Sequence, residues 1–297
     1  MVLADFFVKG NQILGERGRQ AQKGAVLRLA GKGPSDLLPR MRLLSAIFLL
    51  FTTAGLWAVG TVEKFSIDGH EVTLKVPVKA ADGHPWLWVG EFAGHLKTLE
   101  DGLVEKGWHV AYVNVSNQFG SARAMATWEK LYQELHEKRD LSARPALLGI
   151  SRGGLYINAW ARLHPEALSV LYLDNGVCDI RSWPGGFKLN AQGKGGANDW
   201  KLYKKEFNFA TDEEALAKSL HPADGLEKAV KAGVFLISVH GTADTVVPYE
   251  DNAKQVVDFW QKQGGRSQVF PKEGGDHHPH GLPDPKPLIE LLVREAK

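Results

Sequence analysis

Apolar and polar residues alternate in regular patterns from about residue 61 onward. "EKFSIDGHEVTLKVPV" (63–78) keeps period two on both sides of Asp68-Gly69, which predicts a hairpin. "HPWLWVGEF" reads as a short apolar strand ending at Gly90. "HLKTLEDGLVEKG" reads as a helix stopped by Gly107, followed by the strand "WHVAYVNV". "SARAMATWEKLYQELHEK" has apolar residues at i, i+3 and i+4 and predicts one long helix. The strand "PALLGI", the helix "GGLYINAWARLHP" and the strands "LSVLYLDN" and "VFLISVHG" come next. A strand around "SQVFPKEG" and the helix "PLIELLVREA" end the chain. Strands alternating with helices predict an α/β fold, a mostly parallel sheet with helices on both faces. Residues 179–232 interrupt the alternation and are rich in Gly, Lys, Trp and Phe, which marks a small cap insertion.

Composition narrows the picture. At 297 residues, 44% hydrophobic and 24% charged, the chain can bury a large core. Its formal charge of +2 is unevenly spread, because residues 1–42 hold eight Lys/Arg against Asp5, Glu16 and Asp36. The remainder is mildly acidic and carries no electrostatic footprint for nucleic acid. The single cysteine, Cys178, excludes an intramolecular disulfide and reads as a buried structural thiol.

Arg40 and Arg42 precede the apolar run Leu43 to Phe51, with small residues near Ala58 and Gly60. Residues 41–60 therefore read as an export signal, with Met41 as an alternative start. Residues 1–40 are then an N-terminal extension that need not be native, and residues 61–297 a single domain that carries the cap insertion. A signal anchor is the rival, since the uncharged run approaches spanning length. Cleavage would leave no stable membrane span, and either reading predicts a secreted or periplasmic location.

The chemistry centres on Gly149-Ile150-Ser151-Arg152-Gly153, a G-x-S-x-G pattern at a strand-to-helix bend. A sharp turn there lifts the serine hydroxyl clear of the sheet, and the glycines leave room for it. A hydrolytic serine also needs a histidine base and an acid that fixes the base's tautomer. "VHGTADTVVP" places Asp244 just beyond a strand. "EGGDHHPHGL" places His277, His278 and His280 in a Gly-rich loop some 33 residues later. Asp174, at the end of the preceding strand, is an alternative acid, and His278 an alternative base.

"GISRGG", "HGTADTVVP" and "GGDHHPHGL" together resemble the elbow, acid loop and histidine loop of the α/β-hydrolases over roughly residues 70–297. Within them the chain is similar to exported bacterial esterases associated with carbohydrates. The resemblance implies Ser151 as nucleophile, Asp244 as acid and His277 as base, with Pro279 following in the family's G-x-H-x-P pattern. Asp276 stands where a glycine usually precedes the histidine. The resemblance further implies an oxyanion hole from the backbone N–H of Arg152 and an amide of Gly90 or Glu91. Arg152, His278 and His280 are expected to contact substrate or order the loops, with a salt bridge to a cap residue as the other reading of Arg152. Nine tryptophans are many for this length, and Trp86, Trp88, Trp183 and Trp200 are expected near the mouth. Flat aromatic faces suit sugars, with Trp88 taken as a substrate contact and the hydrophobic core as the alternative.

These observations predict a serine hydrolase that cleaves a carboxylic ester, small or on a saccharide, without a metal or organic cofactor. A serine peptidase of the same fold and a non-catalytic binding protein on the same scaffold are the alternatives. A metalloenzyme using His277, His278 and His280 is disfavoured, because three histidines so close in one loop rarely serve as ligands together.

Overall fold

A computed structural model describes residues 60–296. The expected N-terminal extension, and the export signal up to residue 59, lie outside the described residues. The first two strands, β1 (Gly60–Ile67) and β2 (His70–Pro77), form the expected hairpin, with Asp68 and Gly69 both at positive φ in its turn. They are followed by β3 (Trp86–Val89), α1 (Lys97–Glu105), β4 (His109–Val113) and α2 (Ala122–Gln133). Then come β5 (Ala146–Ile150), α3 (Gly153–Leu163) and β6 (Val170–Asp174). The eight strands make one sheet in the order β1-β2-β4-β3-β5-β6-β7-β8, where β7 is Phe235–Gly241 and β8 is Ser267–Lys272. β2 runs antiparallel to both of its neighbours, and β3 to β8 are all parallel.

Successive side chains of a strand face opposite sides, so each parallel strand feeds two cores. Trp86, Trp88, Leu147, Leu171 and Leu173 face a layer made by α2, α3 and α7 (Ala253–Lys262), whose contributions include Trp128, Trp160 and Trp260. Leu87, Val89, Leu148, Ile150, Val170 and Tyr172 face α1 and α8 (Lys286–Glu295) through Leu99, Leu103, Leu288 and Leu292. The helix α7 is absent from the expectations above, although Val256, Val257 and Trp260 give it an apolar face. The long helix expected over 121–138 ends as α-helix at Gln133 and continues as one wider turn over Glu134–Lys138.

Between β6 and β7 lie α4 (Ala197–Glu206), α5 (Asp212–Ala217) and α6 (Glu227–Lys231). Trp200, Tyr203 and Ala215 build a small separate core with Phe119, Leu155 and Val247. Leu226 and Ala229 instead pack into the main core. Within the expected insertion, α4 and α5 thus share a core apart from the main one, and α6 packs into the helical layer. Among the described residues, no helix is long and apolar enough to cross a membrane.

Candidate active site

Ser151 sits one residue beyond β5 at φ +48°, a strained conformation for a side-chain-bearing residue. Its backbone is clamped: its N–H donates to Asp174 O at 3.0 Å, and its carbonyl accepts from Val177 N at 2.8 Å. A Cβ on Gly149 would lie 2.8 Å from Gly154 Cα, so the strand can pass the helix start only as glycine. At Gly153 the neighbour is not the helix but the loop after β3, with Glu91 N 3.1 Å from an added Cβ.

Beyond β7, Asp244 is buried, and its Oδ1 accepts from Val246 N at 2.8 Å and Val247 N at 2.9 Å. These two amides leave Oδ2 aimed at His277 Nδ1, 2.8 Å away. On the far side of the ring, Nε2 is 2.9 Å from Ser151 Oγ. With Nδ1–H donating to the carboxylate, Nε2 is the nitrogen that can accept the serine proton. Asp276 is exposed, and one of its oxygens accepts the backbone N–H of His277 at 2.8 Å. That bond heads the causes that hold the Asp276 carboxyl below its ordinary range.

Asp174 does not touch His277. Its oxygens accept from Tyr172 Oη (2.7 Å), His280 Nδ1 (3.0 Å) and Gly281 N (3.1 and 3.0 Å). His280 is thereby drawn away from the substrate-contacting role expected of it: its side chain is 3% exposed and bound to a buried carboxylate. His278 remains exposed, and partial burial together with repulsion from His280 and His277 lowers its pKa.

Of the three backbone amides expected in the oxyanion hole, one is committed to the sheet and two are not. Gly90 N–H donates to Leu148 O at 2.8 Å, continuing the sheet, so it has no proton left for an oxyanion. Arg152 N and Glu91 N have no backbone acceptor among the described residues. The Arg152 side chain reaches Glu91 Oε1 at 2.7 Å, Asn117 Oδ1 at 3.0 Å and Asp199 Oδ1 of α4 at 3.2 Å. The cap salt bridge is therefore present, and a buried pairing with Glu91 accompanies it. Burial alone would lower the Arg152 pKa, but the charges of Glu91 and Asp199 hold it above the ordinary value.

Trp88 is not at the mouth. It is fully buried, stacked on Trp128 at 4.2 Å and edge-on to Trp160 at 4.8 Å, because its position in β3 points it into the helical layer. Trp86 joins that stack, and Trp200 packs on Tyr203 inside the cap; Trp183 stays half-buried. Two surface clefts of about 380 and 370 Å³, along His221, Asp224, Asp251 and Gln255, contain no residue of the serine–histidine–aspartate chain.

Asn175 is a site residue that the sequence reading missed. At φ +43°, its Nδ2 donates to His277 O at 2.7 Å and its Oδ1 accepts from Gly241 N at 2.8 Å. It ties the ends of β6 and β7 to the histidine loop. The one signal for it is an asparagine directly after a strand, a residue type that tolerates the left-handed conformation.

Solved structures share this architecture. The acylaminoacyl peptidase of Pyrococcus horikoshii superposes with a TM-score of 0.58 at 15% identity, over 81% of this chain and 42% of that one. A puromycin-hydrolyzing peptidase of Mycobacterium tuberculosis gives 0.55 at 15% identity, over 78% and 38%. Est1E from Butyrivibrio proteoclasticus, with ferulic acid bound, gives 0.53 at 14% identity, over 78% of this chain and 98% of that one. This chain has an α/β-hydrolase fold. It spans less than half the length of the two peptidases. No protein-family model and no curated sequence matches it.

Proposed function

We propose that this α/β-hydrolase-fold protein is a serine hydrolase that cleaves a carboxylic ester, with a saccharide ester as the substrate class. The observation that carries the reading is the continuous chain from Ser151 Oγ through the His277 ring to Asp244 Oδ2. His277 Nε2 takes the serine proton as Oγ attacks the ester carbonyl, and Asp244 stabilises the imidazolium that forms. The amides of Arg152 and Glu91 donate to the developing oxyanion. The alcohol leaves with the proton from His277, and water releases the acid by the same route in reverse.

Est1E, solved with ferulic acid bound, shares this fold, and a carboxylic acid is what ester cleavage would release. The half-buried Trp183 and Phe187 of the cap core supply the flat faces that suit a sugar. Export is part of the same proposal, resting on the residue pattern of 41–60.

A fluorophosphonate probe should label Ser151 in the wild type and nothing in Ser151→Ala. p-Nitrophenyl esters of rising acyl length should be turned over faster than aminoacyl-anilides. Anilide cleavage as the dominant activity would make the protein a peptidase. An unlabelled but active protein would overturn the serine mechanism, and a labelled one that turns over neither substrate class would point to a binding protein.

A further inference from the structure

His277 is the centre of a second arrangement. His277, His278 and His280 each offer a ring nitrogen, and the three atoms lie within 4.8 Å of one another. Their rings stand mutually edge-on, with centroids 4.7 to 5.0 Å apart. Two of the three are held alike by buried carboxylates: Asp244 on His277 Nδ1 at 2.8 Å and Asp174 on His280 Nδ1 at 3.0 Å. An imidazole whose Nδ1–H donates to a carboxylate keeps its lone pair on Nε2, with fixed ring orientation and raised basicity. Metal-binding histidines are prepared in this way.

From this geometry we infer that the three histidines form an inhibitory site for a zinc-like divalent ion, which silences the enzyme by taking the lone pair of its base. The inference rests on the serine-hydrolase reading for its consequence, though not for the binding itself. Imidazole donors select zinc, copper or nickel over magnesium and calcium, which prefer oxygen. Zinc–nitrogen bonds of about 2.0–2.1 Å set tetrahedral nitrogens roughly 3.3–3.4 Å apart, so atoms standing up to 4.8 Å apart must close the difference. His278 is the exposed member, and the closure falls to its ring, which no carboxylate holds among the described residues. The buried carboxylates of Asp174 and Asp244 also give the ion nearby negative charge. Once bound, the ion displaces the Ser151 Oγ contact from Nε2, so the hydroxyl has no acceptor for its proton.

Calorimetric titration of the protein with zinc chloride should show a site that weakens at least ten-fold in His278→Ala and in His280→Gln. Fluorophosphonate labelling of Ser151 should slow at least ten-fold with zinc chloride and recover on chelation, while magnesium chloride has no effect. In His278→Ala, labelling should need at least ten-fold more zinc to slow, relative to that variant's own zinc-free rate. Wild-type labelling indifferent to zinc, or equal zinc affinity in all three proteins, would overturn the inhibitory site. Failure to label without zinc would instead count against the serine mechanism, and the titration would still decide whether the metal binds.

Discussion

His280 Nδ1 lies 3.0 Å from Asp174 Oδ1, so the carboxylate closing β6 is bound to the histidine loop but not to the base. The two acids at the histidine loop thus meet different histidines, Asp244 with His277 and Asp174 with His280. Asp244→Asn keeps the hydrogen-bonding shape yet favours the wrong imidazole tautomer, and kcat should fall about 10⁴-fold with the melting temperature little changed. Asp174→Asn presents an amide to three donors and should cost roughly 2–3 kcal/mol of stability. Its folded fraction should retain most of its turnover. Urea unfolding and steady-state kinetics on both variants separate the two outcomes, and the opposite pattern would move the acid to Asp174.

Arg152 and Glu91 should behave as a unit. Glu91 is 2% exposed and has its charge answered by the Arg152 guanidinium at 2.7 Å. Arg152→Met strands that carboxylate and should destabilise by about 3–5 kcal/mol. Adding Glu91→Gln should restore much of the loss, which a double-mutant cycle by chemical denaturation would show. Additive losses would mean that the two side chains do not stabilise one another.

Gly241 holds the acid strand against the base loop. A Cβ there would lie 2.5 Å from Asp276 O and nearer still to Gly275 O, both backbone atoms that a rotamer change cannot move. Gly241→Ala should push the His277 loop off Asp244 and lower kcat at least about 10²-fold, as a misplacement near 1 Å does. Kinetics at substrate saturation test this, and unchanged kcat would show that the loop adjusts without cost.

His240 sets an acid limit to stability. It is buried and stacked on Tyr249 at 3.5 Å, and burial, helped by Lys272, pushes its pKa from 6.5 down to about 4. Between these values the unfolded chain binds a proton that the native ring refuses, so stability falls as pH drops from 6.5 towards 4. The full shift corresponds to up to about 3 kcal/mol. Burial lowers the pKa of His109 and His164 as well, so the wild-type slope is composite. His240→Phe keeps the stack and should flatten its share, seen as a smaller loss of melting temperature between these pH values. An unaltered slope would show that His240 protonates freely.

The alternation of strands and helices is legible along the sequence, because period-two and helical periodicities are local and each is set by which face must leave water. The sequence also placed Ser151, Asp244 and His277 each in a loop after a strand, since glycines and turn residues mark such bends. Which partner each side chain meets follows from the fold. Two carboxylates and three histidines offer several pairings along the chain. The parallel neighbours β6 and β7 set Asp174 beside His280 and Asp244 beside His277. The register of β3 turned Trp88 into the helical layer and joined Gly90 N–H to Leu148 O. The sequence offered aromatic faces and spare amides; packing took Trp183 partly into the cap core and left the amides of Arg152 and Glu91 without a backbone acceptor. Side-chain partners across a sheet depend on strand order and register, which arise from contacts between residues far apart in the chain and leave no periodic trace in it.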